Sequence, residues 1–197
     1  ARQFGHTIVP LRPALVPLTF DGTMWRPFAA LAGVSLEVGI AVQQGKKTVR
    51  FQEDLLFTHR GVSGPAVLQI SSYWRAGESL TIDLSNGVDL AAALLAAKAG
   101  SRRRLANDLG EHLPQRLADT WLAHTGLDPD LPVAECRDRD LQALADGLRH
   151  WRVTPTGTEG WRKAEVTAGG VDTRELSSQS LESRRQPGLY FIGEVVD

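Results

Sequence analysis

The period of the hydrophobic pattern changes twice along the chain, and this limits the fold more than any other feature. Val34 to Val42, Lys47 to Phe51 and Glu53 to His59 have the alternating, β-branched character of strands, with Gln43-Gln44-Gly45-Lys46 as a hairpin turn. From Val88 to Arg149 the spacing becomes helical. Leu90, Leu94 and Leu95 share one face, Leu105 and Leu109 follow, then Leu117, Trp121 and Leu122, and finally Leu141, Leu144 and Leu148; Gly110 and Pro114 divide the block. Strand composition returns at Trp151 to Thr154. A helical block between strands predicts an α+β fold in which a small helical subdomain (88–150) is inserted within a β-rich unit.

Finer expectations follow from local chemistry. Thr7 to Phe20 contains Pro10, Pro13 and Pro17, so it should be an edge or crossing strand. Met24 to Leu31 reads as a helix stopping at Gly33. Ser63 is placed to cap a helix that has Pro65 in its first turn, and Ser79 to Leu84 reads as a strand. Ala164 to Thr167 should be a strand running into a double-glycine turn at Gly169-Gly170, and Leu189 to Asp197 a buried strand. A chain that starts at Ala1 without methionine and stops inside such a strand is expected to be an internal piece of a longer polypeptide.

Composition excludes several classes. With 42% hydrophobic and 23% charged residues, the chain is an ordinary globular sequence. Its 22 basic and 23 acidic residues leave a net charge of -1, so no broad field recruits nucleic acid or a membrane surface, and neither is an expected partner. Arg102-Arg103-Arg104 reads as a solvated helix face. Cys136 has no partner for a disulfide or a zinc pattern, and His6, His59, His112, His124 and His150 are scattered, so no metal site is expected. A single cysteine, no signal peptide and no membrane-length apolar run fit a cytoplasmic protein.

The sequence contains neither GxGxxG nor GxxxxGK[ST], hence no complete cradle for a dinucleotide or nucleotide phosphate. Gly61-Val62-Ser63-Gly64-Pro65 is not a GxSxG nucleophile elbow, although Ser63 with His59 keeps a small serine hydrolase as an alternative. A helix start there would instead offer amides to an anion. Val166-Thr167-Ala168-Gly169-Gly170-Val171 and Gly188 to Asp197 combine strand residues with glycines that let a backbone approach a ligand.

Gly5-His6-Thr7 with Pro13 to Leu18, then Leu55 to Pro65, VTAGGV (Val166–Val171), Leu181-Glu182-Ser183 and GLYFIGEVVD (Gly188–Asp197) resemble, in order and spacing, the BaiN-like family of bacterial FAD-dependent oxidoreductases. Leu181 stands where the family pattern usually has methionine. The resemblance implies that residues 8–156 are the insert domain, a β-barrel-like unit (8–87 and 151–156) carrying the helical subdomain (88–150), and that 1–7 and 165–197 are remnants of the FAD-binding domain. It implies FAD in the full-length NAD(P)-linked protein, with Thr167, Gly169, Gly170, Gly193, Glu194 and Asp197 near the cofactor. It implies no tight FAD binding by this chain alone, and it supplies no catalytic residue. The partner would be the remaining FAD-binding domain of the same polypeptide, with a small-molecule substrate of unknown identity. A dimerisation or partner-binding module, including a homodimer, is the alternative role.

Overall fold

The computed structural model describes residues 1–197 and places them in two compact units, 17–158 and 1–16 with 159–197. The strands in chain order are β1 (Ile8–Ala14), β2 (Leu18–Thr19), β3 (Ser35–Gln44), β4 (Lys47–Phe57), β5 (Gly61–Ser63), β6 (Leu80–Asp83), β7 (Trp151–Val153), β8 (Gly157–Thr158) and β9 (Val166–Val171). The helices are α1 (Gly22–Trp25), α2 (Pro65–Ser71), α3 (Leu90–Gly100), α4 (Leu105–Leu109), α5 (Gln115–Thr125) and α6 (Asp138–Arg149). This is the α+β class, a strongly paired sheet with a helical insert.

In the larger unit one antiparallel sheet runs in the order β7-β6-β3-β4-β5-β2-β8. Its spine is the β3–β4 hairpin, paired from Ser35↔Leu56 to Gln44↔Lys47 around Gly45, whose φ of 57° a side chain would resist. Period-two alternation sends Val38, Ile40 and Val42 inward and Gly39 and Ala41 outward. The inward set joins Leu55, Phe57, Leu80, Ile82, Trp25 and Trp151, and the same core continues through Leu90, Leu94, Leu117, Trp121, Leu141, Leu144 and Leu148 of the helices. Each such side chain contributes about 1.5–3 kcal/mol by leaving water. One continuous core therefore holds barrel and helices together.

Several local expectations change for identifiable reasons. The predicted Met24–Leu31 helix is α1 followed by a separate 3-10 turn at Ala29–Leu31. Asp21 starts α1 by accepting from the Thr23 and Met24 N–H groups, and Pro27 lacks the N–H needed to carry it further. The two strands expected between Lys47 and His59 are one, because β3 offers an uninterrupted partner. Ser63 does not cap α2; it lies in β5 opposite Leu56, and Gly64 takes the N-cap position at φ 90°. Arg102 to Arg104 lie between α3 and α4, not on a helix face.

The smaller unit is built differently. β1 pairs with β9 in a two-stranded ribbon, so Ile8–Ala14 does not join the seven-stranded sheet. Gly169 and Gly170 lie within β9 and form no turn. Leu189 to Asp197 is no buried strand: it has only isolated bridges, Glu182↔Tyr190 and Val171↔Val196, and a 3-10 turn at Gly193–Val195. Tyr190, Ile192 and Val195 are 54%, 71% and 49% exposed, since no strand of this chain covers them. The unit's buried apolar residues are Ala14, Val16, Val171 and Leu176, beside buried polar His6, Asp172 and Ser183. Hydrogen bonds do much of what an apolar core does in the larger unit.

Candidate functional site

At one end of the larger unit, β2 and β8 are the strands by which the chain enters and leaves, and the β4–β5 turn lies beside them. The Phe20 N–H donates to the Arg60 carbonyl (3.0 Å), and Thr58 Oγ1 accepts from the Gly61 N–H (3.1 Å), so the loop carrying His59 and Arg60 is fixed against β2. Trp25 stacks on Phe20 with ring centres 4.6 Å apart and donates its Nε1–H to the Thr58 carbonyl (2.9 Å). Above this floor opens a concavity of about 490 Å³ lined by Phe20, Gly22, Trp25, Arg26, Ala29, His59 and Arg60. Its size is that of a small-ligand site. Arg26, His59 and Arg60 line it and no carboxylate does.

The hydrolase alternative has no geometry here. No hydrogen bond joins Ser63 to His59, and a nucleophile needs its base within hydrogen-bond reach. The Ser–His contact that does exist was hidden in the sequence: His6 Nε2 lies 2.7 Å from Ser183 Oγ, and His6 Nδ1 lies 3.0 Å from Glu175 Oε2. Ser183 Oγ also accepts the N–H groups of Arg185 (3.0 Å) and Gln186 (2.8 Å). With both acceptor positions filled, its proton goes to His6 Nε2, and His6 Nδ1–H then donates to Glu175. This saturated, buried serine ties the N-terminal segment to residues 175–186. It is a clamp, and no attacking oxygen is left over.

Glu175 has several donors. Its carboxyl is held at about 2, below the ordinary 4.5, first by the Arg185 guanidinium and then by the Thr7 N–H and hydroxyl, against the opposing effect of burial. Thr7 donates from N (3.0 Å) and Oγ1 (2.8 Å). A lowered folded-state pKa means the clamp's contribution is complete above about pH 4.5 and is lost as pH falls toward 2. The protection factor of the Thr7 amide, its exchange rate measured against the intrinsic rate at the same pH, should therefore be high near neutral pH and fall across that window; a protection factor unchanged through it would contradict the clamp.

The residues singled out for a cofactor lie in the smaller unit. Thr167 pairs with Pro13, and the Asp197 N–H donates to the Val171 carbonyl (3.0 Å), so the VTAGGV and GEVVD segments are neighbours. Gly169 and Gly170 are required by the chain itself. A Cβ at Gly169 would sit 2.3 Å from the Pro10 carbonyl oxygen, and one at Gly170 2.4 Å from that of Val195. Gly193 has φ 77° and open space around it, with Glu194 and Asp197 exposed. The space beside the paired glycines is filled by backbone, so these residues alone do not form a diphosphate cradle. No group of His, Cys, Asp or Glu is placed to hold a metal ion, burial pushes the Cys136 thiol up, and no helix is long and apolar enough to cross a membrane.

An antiparallel barrel-like sheet with an inserted helical block defines the class. Residues 12–166 match the family described as "HI0933-like protein barrel and H2TH domain", and the chain belongs to the HI0933-like family. Along its full length it is 50% identical to the ribosomal RNA dihydrouridine synthase of Escherichia coli (strain K12) and 45% identical to that of Haemophilus influenzae, in each case covering 48% of the relative. It is 29% identical to the 3-dehydro-bile acid delta(4,6)-reductase of Clostridium scindens, covering 50% of it. The chain spans about half the length of the curated relatives it matches.

Proposed function

We propose that the full-length polypeptide is a cytoplasmic, FAD-dependent reductase that converts a uridine of ribosomal RNA to dihydrouridine, and that this chain supplies its barrel and helical domain. Residues 1–7 and 165–197 are read as parts of the flavin-binding domain, whose phosphate cradle lies elsewhere in the polypeptide. One observation carries the choice of substrate: identity of 50% and 45% to two ribosomal RNA dihydrouridine synthases over the whole chain, against 29% to the bile-acid reductase. The two activities share a reaction class. Both names describe adding two hydrogens across a carbon–carbon double bond, and in uridine that bond is conjugated to a ring carbonyl.

The exposed apolar side chains Tyr190, Ile192 and Val195 support the structural half of this reading, because a segment of that composition is suited to pack on further protein. Thr167, Gly169, Gly170, Gly193, Glu194 and Asp197 remain the residues proposed to approach the flavin from this chain.

Incubating the full-length protein with a reduced nicotinamide and ribosomal RNA lacking dihydrouridine tests the substrate. Mass spectrometry of the digested RNA should show a two-hydrogen gain at one uridine, while a steroid enone is reduced slowly or not at all. Efficient reduction of the enone with unmodified RNA would replace this reading by the small-molecule one.

A further inference from the structure

We infer that the outer face of the seven-stranded sheet holds a strand of RNA in a trough across β4, β3, β6 and β7, with Arg50 and Arg152 gripping one phosphodiester from opposite sides. The inference deepens the ribosomal RNA reading and rests on it. The argument begins with register. Ala41 lies opposite Arg50 on one side and Thr81 on the other, and Thr81 in turn lies opposite Arg152. Residues in register share a face, so two arginines end one row with only an alanine and a threonine between them. Three strand spacings separate their Cα atoms by roughly 14 Å, a span that two arginine side chains close around a phosphate.

The short side chains leave room. Concavities of about 300 Å³ and 410 Å³ meet over Ala41 and Thr81, with Arg50 lining the first and Arg152 the second. Arg149, at the end of α6, adds a third guanidinium to the first. Two carboxylates also line the trough, and each is held by its own turn. Asp83 Oδ1 accepts from the Ser85 N–H (2.9 Å) and hydroxyl (2.5 Å), and Glu78 Oε2 accepts from the Arg75 N–H (2.8 Å). Neither forms an ion pair with Arg50, Arg149 or Arg152, so the guanidinium groups keep their donors for a ligand. A planar guanidinium matches two oxygens of a phosphate, a geometry lysine lacks.

The floor of the trough carries a second mark. Gly39 sits inside β3, on the same face as Ala41 and opposite Gln52 and Asp83. Its φ lies outside the left-handed range, and a Cβ there would meet only the Asp83 Cβ, at 3.5 Å, an ordinary contact. Neither conformation nor packing requires glycine at this position, although glycine weakens the interior of a strand. The bare backbone admits close approach, here by the ribose and base that flank the gripped phosphate. All four strands belong to one hydrogen-bonded sheet, so both arginines project from fixed backbone, which reduces the entropy lost on binding.

The test is fluorescence anisotropy of a labelled single-stranded RNA containing uridines, titrated with the full-length protein across a range of salt. The double variant Arg50→Ala/Arg152→Ala should bind about tenfold more weakly or worse, with a log–log salt slope shallower by about 0.7–1 for each arginine removed. Arg50→Lys/Arg152→Lys should retain part of the affinity. Arg137→Ala/Arg139→Ala, which removes the same charge from the start of α6, should bind like the unmodified protein. Gly39→Val should weaken binding while its melting temperature stays at or above that of the unmodified protein. Should the alanine variant melt early, Arg50→Gln/Arg152→Gln is judged by the same criterion. If the unmodified protein binds and either the Arg50/Arg152 variant or Gly39→Val binds equally well, or if the Arg137/Arg139 variant loses as much, the trough is overturned while the ribosomal RNA reading stands. If the unmodified protein binds no RNA, both are overturned.

Discussion

Trp25→Ala should destabilise the barrel unit by about 3–5 kcal/mol, the range for removing a large buried aromatic. Trp25 is 2% exposed. It stacks with Phe20, Phe57 and Trp151, packs at a tilt against Phe28, and holds the β4–β5 turn through its Nε1–H to the Thr58 carbonyl. The substitution removes the centre of an aromatic cluster, leaves the Thr58 carbonyl without that donor and takes away the floor of the cationic concavity. Trp161→Ala is the control, because that side chain is 56% exposed, and its effect should stay within about 0.5 kcal/mol. Urea denaturation of the two variants compares them directly; equal midpoints would contradict the packing described.

The second large effect is expected at Gly64. Alanine there would have to hold φ 90°, and its Cβ would lie 2.7 Å from the Asp54 carbonyl oxygen and 2.9 Å from the Leu56 nitrogen. Left-handed strain costs about 1–3 kcal/mol and forcing atoms into packed backbone about 1–3 more, so a loss of roughly 2–6 kcal/mol follows. Gly45→Ala, at φ 57° but with open space around it, carries only the strain. A melting comparison should therefore rank Gly64→Ala well below Gly45→Ala in stability, and the reverse order would show that Gly64 does not lie against the Asp54 and Leu56 backbone as described.

The contrast between these two glycines shows what a sequence can reveal. Gly45 was legible because its demand is local: a two-residue turn between alternating strands needs a left-handed residue. The role of Gly64 was not, since the atoms that exclude a side chain belong to another strand, and Ser63 beside it offered a plausible cap. The helical block was readable for the same local reason, as Leu90, Leu94, Leu141, Leu144 and Leu148 carry their period within each helix. Gly169 and Gly170 looked like a turn open to a ligand because their partners, the Pro10 and Val195 carbonyls, lie far away in the chain.

Site residues were harder still. His6 and Ser183 meet across almost the whole chain, and nothing in either segment signals the other. Arg26 and Arg60 line one concavity although they stand far apart in the sequence. A near-zero net charge argues against broad recruitment of nucleic acid and is compatible with local clusters. In the conspicuous arginine run at 102–104, Arg103 pairs with Asp108 and Glu111 and Arg104 with Asp130, partners that the run itself does not announce. The proposed RNA substrate rests on identity to ribosomal RNA dihydrouridine synthases and on no feature of composition.

Flavin retention tests most directly whether this chain is one half of a divided flavoprotein architecture. The full-length protein should purify with bound FAD and its yellow absorbance, whereas the 197-residue chain should titrate with FAD without saturable binding, since its paired glycines are closed by its own backbone. A yellow preparation of the 197-residue chain, or a full-length protein that takes up no flavin, would contradict it.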